Sequence, residues 1–279
     1  MPELPEVETI ARKLRPLMLG RAITGVDVLW ERTIDRPAPA TFCQRLTGAR
    51  VTEVGRRGKF LVFTLDRGLT WLVHLRMSGK FEHRPPAAGP GEHRHLRARL
   101  ALDDGAWLLF INQRKFGRFY LVEDAQEVVG QLGIEPLAPE FTAAWLAEAL
   151  RGRRGEIKRL LLDQHVIAGL GNIYASEALW QARIHPQRVA GSLTEAEMTR
   201  LQRAIVACLR AALDHGGTSL ADQQYVYPDG NLGQYQEYLR IYDRAAEQCP
   251  RCGYTVARIV QGQRSTFFCP VCQPLLDWQ

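Results

Sequence analysis

The chain has 279 residues, of which 46% are hydrophobic and 24% charged, a balance that excludes a disordered or collagen-like chain. Its length exceeds what one compact core usually needs and predicts two or three domains. Thirty-six Lys and Arg residues against 30 Asp and Glu residues give a formal net charge of +6, which weakly favours a polyanionic partner. No apolar run approaches the roughly 20 residues of a membrane span, and the N-terminus lacks the pattern of a secretory signal. We therefore expect a cytoplasmic protein without a membrane partner.

The N-terminal part of the chain predicts one helix followed by strands. PEVETIARKL places Val7, Ile10 and Leu14 at helical spacing, and Gly20 is a plausible end of the helix. Turn signals at 66–68 (DRG) and 103–105 (DDG) separate segments rich in Val, Leu, Phe and Tyr, which predicts antiparallel pairs in a sandwich or barrel-like layer. These segments are RAITGVDVLW, KFLVFTLD, LTWLVHLRM, LRARLALDD and AWLLFINQ.

A change of pattern follows the segment GIEPLAP (133–139), whose one Gly and two Pro indicate a linker. Beyond it, apolar residues recur every three or four positions, which predicts helices, the last bounded by Thr194 and Gly216. The helical segments are FTAAWLAEAL, EIKRLLLDQ, NIYASEALWQA and TEAEMTRLQRAIVACLRAALDH. Near the C-terminus, YTVARIV and STFFC are separated by QGQR and predict a β-hairpin.

Four of the six cysteines form two C-x2-C pairs separated by 16 residues: Cys249, Cys252, Cys269 and Cys272. Two such pairs can bring four thiolates tetrahedrally onto one structural Zn²⁺, whereas a reducing compartment disfavours disulfides. Four free or redox-active thiols are the alternative interpretation. The remaining Cys43 and Cys208 lie in apolar sequence, and we expect them in the core.

The segment AGLGNIYASE (168–177) has two glycines leading directly into a predicted helix. Free backbone N–H groups at the start of a helix can hold a phosphate. An ordinary glycine-terminated helix joining two packed helices is the alternative. A preceding group of cations favours DNA, because neutralising phosphates needs several positive charges near one groove. The group consists of Arg151, Arg153, Arg154, Lys158 and Arg159.

Several segments, taken together and in order, resemble the bacterial formamidopyrimidine-DNA glycosylases over nearly the whole chain. They are MPELPEVET, RRGKF (56–60), HLRMSGK (74–80), GLGNIYASEALW (169–180), CPRCG and QRSTFFCPVCQ. The resemblance implies an α+β multidomain fold that holds DNA in the cleft between its halves. The implied parts are an N-terminal catalytic β-sandwich with flanking helices (1–132), a linker (133–140), a helix-two-turn-helix DNA-binding domain (141–238) and a zinc-finger β-hairpin (239–279).

The same resemblance implies that Pro2 is the nucleophile once Met1 has been removed. A terminal amine titrates near pH 8 and a lysine near 10.4, so more of the former is unprotonated at neutral pH. Attack on the sugar C1′ expels the base and leaves an iminium, through which the strand can then be broken by β,δ-elimination. Without the surrounding PELPEVE pattern, a proline at this position would indicate only the flexible start of a helix.

Three further residues match the catalytic set of the family. Glu3 would donate or relay a proton as the base leaves, with Glu6 supporting it, although either carboxylate could instead stabilise a helix N-terminus. Lys59 matches the lysine of β-elimination and would contact the phosphate next to the lesion. Arg264 matches the arginine of δ-elimination, and a guanidinium on a hairpin stiffened by zinc can grip phosphate.

Removing a base from double-stranded DNA requires extruding it from the helix and filling the space that it leaves. Met77, Arg114 and Phe116 match the residues that do this in the family, although Met and Phe in strand-rich sequence are more often core residues. Further DNA contacts are implied by resemblance alone, at His93, Arg153, Lys158 and Asn172.

Two segments depart from the family pattern. The chain has NQRKFG (112–117) where many members have DPRRFG, and GGTSLADQQYVYPDGNLG (216–233) differs from the usual lesion-binding loop. The prediction is a monomeric base-excision repair enzyme that acts on oxidised purines, 8-oxoguanine and formamidopyrimidines, in damaged double-stranded DNA of the bacterial nucleoid. An endonuclease VIII-like enzyme for oxidised pyrimidines and a non-catalytic zinc-ribbon DNA-binding protein are the alternatives.

Overall fold

The computed structural model describes residues 1–219 and 226–275. The chain divides into two compact units, of which the first combines Met1–Gln131 with His215–Gln234 and the second combines Leu132–Asp214 with Tyr235–Gln279. Residues 220–225 of the segment predicted to bind the lesion lie outside the described residues. Helices and sheets are both present, so the prediction of a mixed α+β fold is confirmed.

The first unit begins with the predicted helix. It contains α1 (Leu4–Met18), β1 (Ile23–Val28), β2 (Ile34–Arg36), α2 (Pro39–Leu46), β3 (Val51–Arg57), β4 (Phe60–Leu65), β5 (Thr70–His74), β6 (Gly79–Arg84), β7 (Leu96–Leu102), β8 (Trp107–Asn112), β9 (Arg118–Val122) and α3 (Gln126–Val129). Val7, Ile10 and Leu14 are all at most 1% exposed, which confirms the predicted apolar face of α1.

Two sheets form the sandwich of the first unit. One has the strand order β1-β7-β8-β6 and the other β2-β9-β5-β4-β3. All of these neighbours pair antiparallel except β2 and β9. Aromatic rings from both sheets contact one another in the core, where they include Phe63, Trp71, Phe81, Phe110 and Phe119. Packing between the two apolar faces therefore fixes the sandwich.

The second unit is helical with a β-hairpin. It contains α4 (Ala143–Leu150), α5 (Ile157–Leu161), α6 (Asn172–Ala182), α7 (Glu195–Asp214), β10 (Ala257–Gln261) and β11 (Arg264–Phe268). Helix α7 packs against α4 and α6, and α6 also contacts β11. The four helices and the hairpin are those that the sequence pattern predicts. No helix in the described stretches of the chain is both long enough and apolar enough to cross a membrane.

Candidate nucleic-acid interface and active site

The start of α1 is the most buried group of predicted catalytic residues. Pro2 is buried, and Glu3, the residue that caps α1, is 3% exposed. Glu3 and Glu6 form a capping box, in which the Glu3 backbone N–H donates to Glu6 Oε2 over 2.7 Å. Met1 precedes Pro2 in the structure, so the Pro2 nitrogen becomes an amine only after Met1 has been removed.

Glu6 also fixes a distant part of the chain to this helix. Its Oε1 accepts a hydrogen bond from the backbone N–H of Thr218 over 2.8 Å, and the Glu6 side chain is 2% exposed. Each carboxylate oxygen therefore holds one backbone N–H, one beside Pro2 and one in the 215–234 segment. Glu6 therefore stabilises the N-terminus of α1, which is the structural alternative given for it, and its support of Glu3 in the reaction stays a prediction.

Lys59 lies in the turn between β3 and β4 and is 5% exposed. Two contacts give the direction of α1 over β3: Arg15 donates to the Val54 carbonyl over 2.9 Å, and Glu8 pairs with Arg56 at 3.2 Å. Arg15, near the end of α1, contacts Val54, whereas Glu8, nearer its start, contacts Arg56, which is closer to Lys59. The β3–β4 turn is therefore directed towards the end of α1 that begins after Pro2 and Glu3.

His74, at the end of β5, is a candidate site residue that is not among the residues predicted from the sequence. Its Nδ1 accepts a hydrogen bond from the Arg76 backbone N–H over 3.0 Å, so the proton of the neutral ring is on Nε2. Burial, followed by the positive charges of Arg76 and Lys59, lowers the pKa of His74 to about 3. The ring is 8% exposed and packs edge-on against Phe60. The neutral ring therefore offers Nε2–H as a donor, and Lys59 is close enough for its charge to act on the ring. Its position in HLRMSGK was the only signal in the sequence.

The residues predicted to fill the space of an extruded base lie on two exposed turns. Met77 is 42% exposed in the turn between β5 and β6, and Phe116 is 50% exposed in the turn between β8 and β9. The Arg114 guanidinium lies over the Phe116 ring, 5.3 Å from its centroid. Their exposure removes the alternative that Met77 and Phe116 are core residues. His93 is exposed in the loop before β7, where its Nδ1 accepts from the His95 backbone N–H.

In the second unit, two predicted DNA-contact residues, Asn172 and Lys158, hold the hairpin that carries the predicted catalytic residue Arg264. Asn172 Nδ2 donates to the Ser265 carbonyl over 2.9 Å, and Lys158 Nζ donates to Thr266 Oγ1 over 2.8 Å. Arg264 is exposed, one residue before this anchored stretch. Lys158 is only 1% exposed, so its ammonium lies inside the unit. Arg153 lies on the surface before α5, and its side chain is exposed.

The hairpin that carries Arg264 turns through Gly262 and Gln263, which have φ values of +52° and +64°. Positive φ at both central positions is the geometry of a two-residue type I′ turn, which matches the twist of the strands. Gln261 pairs with Arg264 across the hairpin, and the buried Gln261 side chain donates to Glu156 over 2.9 Å. Contacts to Gln261 on one strand and to Ser265 and Thr266 on the other thus fix the backbone at Arg264, while the Arg264 side chain is exposed to solvent.

The four cysteines of the two C-x2-C pairs converge on one point. Their Sγ atoms lie within 4.8 Å of one another, with 3.9 Å between Cys249 and Cys272 and 3.4 Å between Cys252 and Cys269. A tetrahedral zinc with Zn–S bonds of about 2.3 Å separates its sulfurs by roughly 3.8 Å, so the cluster fits one structural Zn²⁺.

One thiol of the cluster, Cys249, accepts hydrogen bonds suited to a thiolate, whereas burial, followed by contacts with neighbouring thiols, raises the pKa of Cys269 and Cys272. Burial opposes ionisation of Cys249, but the backbone N–H of Arg251 and the Trp180 indole N–H lower the pKa of this thiol to about 6. The indole nitrogen lies 3.4 Å from Cys249 Sγ. Trp180 is not one of the four cysteine ligands, but its N–H group orients the Cys249 sulfur. Residues that surround a metal site commonly support its ligands in this way.

Comparison with protein families gives three matches in chain order. Residues 1–119 match the formamidopyrimidine-DNA glycosylase N-terminal domain, residues 132–224 match the helix-two-turn-helix domain of the same enzymes, and residues 246–275 match the zinc finger found in these glycosylases and in isoleucyl-tRNA synthetase. Together the three models account for most of the chain.

Individual relatives match over their full length. The chain is 48% identical to a formamidopyrimidine-DNA glycosylase of Chloroflexus aggregans over 280 aligned positions, which cover 99% of this chain and all of the relative. The crystal structure of a Thermus thermophilus member is 41% identical, with a TM-score of 0.89 and coverage of 99% and 100%. A Lactococcus lactis member in complex with DNA containing an abasic site is 33% identical, with a TM-score of 0.90 and coverage of 98% and 99%. The chain belongs to the formamidopyrimidine-DNA glycosylase family.

Proposed function

We propose that this chain removes oxidised purines from double-stranded DNA and then breaks the strand at the abasic site, with Pro2 as the nucleophile of both steps. The observation that carries the proposal is the buried start of α1, where Glu6 holds the backbone next to Pro2. The enzyme is a DNA glycosylase and lyase of base-excision repair, in keeping with its family.

The chemistry follows from a terminal secondary amine. The unprotonated Pro2 nitrogen attacks C1′ of the damaged nucleotide, and the bond to the base breaks with its electron pair going to the base, which gains a proton. The Pro2 nitrogen loses its proton and the sugar ring opens, because the C1′–O4′ bond breaks, O4′ takes up a proton and the C1′–nitrogen bond becomes an iminium. This iminium draws electrons from the C2′–H bond, so the C2′ proton can leave and the 3′ phosphate is expelled. A second elimination expels the 5′ phosphate. Water finally releases Pro2 from the sugar remnant.

We assign proton transfer at the sugar to Glu3, because it is the buried carboxyl group next to the nucleophile. Lys59 neutralises the phosphate beside the lesion and assists β-elimination. Its buried turn, directed towards the start of α1, supports this role. His74 adds a neutral N–H donor beside it, which the low pKa of its ring preserves throughout the physiological pH range.

The exposed turns and the hairpin take the other contacts with DNA. Met77 and Phe116 enter the space of the extruded base, while Arg114 donates hydrogen bonds to the base left opposite. His93 and Arg153 contact the phosphate backbone from exposed positions. These assignments rest on the family pattern together with the exposure of the side chains.

The anchored hairpin presents Arg264 to the phosphate expelled during δ-elimination. Asn172, half-buried at the first residue of α6, is positioned to contact the same backbone while it holds Ser265. Lys158, being buried, acts on DNA by holding Thr266 and thereby Arg264. Zinc, when bound by the four cysteines, supplies rigidity to this hairpin and no step of the reaction.

Oxidised pyrimidines are a second candidate substrate class. A Lactococcus lactis relative, 33% identical to this chain, has been crystallised with DNA containing an oxidised pyrimidine as well as with ring-opened purine lesions. The sequence of the 216–233 segment departs from the lesion-loop pattern of the family. The order in which this chain prefers its lesions can therefore differ from that of its relatives. We propose that purine lesions rank first and that the active form is a monomer.

Borohydride trapping on matched duplexes tests the proposal. The protein freed of Met1 is incubated with duplexes containing 8-oxoguanine, an oxidised pyrimidine, an abasic site or no damage, and the iminium is reduced to a stable adduct. We expect adducts on the 8-oxoguanine and abasic duplexes that fall sharply in Pro2→Gly and are absent from protein that retains Met1, whose Pro2 nitrogen is an amide. Adducts chiefly on the pyrimidine lesion would reverse the ranking, and no adduct on any duplex would leave a zinc-containing DNA-binding protein without this chemistry.

A further inference from the structure

Two turns of the first unit run side by side at one edge of the sandwich. Residues 75–78 lead from β5 in the five-stranded sheet to β6 in the four-stranded sheet, and residues 113–117 lead back from β8 to β9. Because Gly79 pairs with Asn112 between β6 and β8, one turn ends where the other begins. We call them the Met77 turn and the Arg114 turn.

A buried pair of polar side chains joins the two turns. The Ser78 hydroxyl donates to Asn112 Oδ1 over 2.9 Å and accepts the backbone N–H of Arg114 over 3.0 Å. The same Oδ1 accepts the backbone N–H of Lys115 over 3.1 Å. Ser78 is 7% exposed and Asn112 is 1% exposed, so water does not compete for these bonds. Three hydrogen bonds thus join the two side chains to each other and to the backbone N–H groups of Arg114 and Lys115.

The surroundings leave this junction little freedom. A Cβ at Gly117 would lie 2.5 Å from Asn112 Nδ2, so only glycine lets the Arg114 turn close over the amide. Arg76 and Lys115 have φ values of +56° and +61°, a left-handed conformation that a non-glycine residue keeps only where neighbouring contacts enforce it. Within residues 1–219 and 226–275, Asn112 Nδ2 has no hydrogen-bond partner, so its oxygen carries the whole contact.

We propose that Ser78 and Asn112 are positioning residues for base extrusion, which hold the Met77 turn and the Arg114 turn as one rigid element. Met77 comes directly before Ser78, and Arg114 is held through its own backbone N–H. The hydrogen bonds between the two turns therefore make the Met77 side chain and the Arg114 guanidinium enter the duplex together. The inference rests on the proposed function, since it takes Met77, Arg114 and Phe116 to be the residues that replace the extruded base.

The test compares a substrate that needs extrusion with one that does not. Ser78→Ala and Asn112→Leu are measured under single turnover with saturating enzyme on an 8-oxoguanine duplex and on a preformed abasic duplex, which has no base to extrude. We expect excision of 8-oxoguanine to slow by roughly tenfold, the factor that corresponds to about 1.4 kcal/mol or one hydrogen bond. Cleavage of the abasic duplex is expected to stay unchanged. The fluorescence of 2-aminopurine placed next to the lesion rises when the lesion is unstacked. This rise should be smaller or slower in the two variants.

Two matched variants separate positioning from general damage to the fold. Asn112→Asp keeps an oxygen for Ser78 and Lys115, and we expect it to retain excision where Asn112→Leu loses it. Ser192→Ala is the control, because the Ser192 hydroxyl also accepts from a side chain, Arg188 Nε, and donates to a carbonyl, each over 2.8 Å. Ser192→Ala should leave the single-turnover rates on both duplexes unchanged.

The outcomes that overturn the inference differ from those that overturn the proposed function. If Ser78→Ala and Asn112→Leu slow both substrates equally, or neither, or if Asn112→Asp behaves like Asn112→Leu, the junction does not act in extrusion. Met77→Ala should slow excision, and combining it with Ser78→Ala should cost less than the sum of the two effects. If Met77→Ala alone leaves unstacking of the lesion unchanged, Met77 does not fill the space of the extruded base. The proposed role of Ser78 and Asn112 then fails as well.

Discussion

Replacing Glu6 by Gln should weaken the first unit and disturb the position of Pro2. The Glu6 carboxylate accepts the backbone N–H of Glu3 over 2.7 Å and that of Thr218 over 2.8 Å, one on each oxygen. Glutamine has a single oxygen, so one of these N–H groups would face an amide NH2 instead. A lost hydrogen bond to a charged group costs about 1.5–3 kcal/mol, and we expect this loss in the free energy of unfolding.

Urea denaturation measures that loss, with Glu123→Gln as the control. Glu123 is 76% exposed and pairs with Arg45 at 2.8 Å, so its replacement should change the free energy of unfolding by less than about 1 kcal/mol. Because Glu6 holds the backbone beside Pro2, Glu6→Gln should also slow borohydride trapping on abasic DNA by at least roughly tenfold. If Glu6→Gln unfolds at the same urea concentration as the unaltered protein and is trapped at the same rate, the assigned role of Glu6 is wrong.

Three further predictions follow from the zinc cluster, the buried histidine and the phosphate contacts. Cys269→Ser should lose bound zinc and DNA affinity together, as metal analysis and gel-shift titration would measure, and retained zinc would contradict the cluster. The folded-state pKa of His74 is about 3 against an ordinary value of 6.5. Its contribution to stability should therefore be complete above pH 6.5 and fall by up to about 1.4 kcal/mol per pH unit as the pH drops from 6.5 towards 3. His74→Gln should flatten this dependence in acid-unfolding curves. If Lys59, Arg153 and Arg264 each neutralise a phosphate, log K should fall against log salt with a slope of about −2.7 or steeper, and salt-insensitive binding would contradict these contacts.

Local patterns in the sequence were sufficient to predict most helices and strands. The heptad-like spacing of Val7, Ile10 and Leu14 identified α1, and turn signals bounded β4, β5, β7 and β8. Strand β6 (GKFEHR) was not identified, because charged side chains interrupt its apolar pattern. Strand β3 (VTEVGRR) contains an interior glycine and two terminal arginines, which also weaken the signal. Both gain their strand structure from pairing with neighbours rather than from their own composition.

The arrangement of the site depends on contacts that no local pattern contains. Glu6 and Thr218 are 212 positions apart, and Ser78 and Asn112 are 34 apart, so their hydrogen bonds exist only in the folded chain. Glu177 is similar: it was visible as part of NIYASE, but its carboxylate accepts the backbone N–H groups of residues 240–242, over 60 positions away. The zinc ligands were the exception, because their spacing alone encodes the chemistry.

The central claim is that the Pro2 nitrogen forms the covalent bond to DNA. The most direct measurement is to trap the protein freed of Met1 on an abasic duplex with borohydride, digest the adduct and identify the modified residue by mass spectrometry. We predict that the sugar remnant lies on the N-terminal Pro2 peptide and that the adduct is absent from protein that retains Met1. A remnant on Lys59, or equal trapping with Met1 in place, would contradict the mechanism.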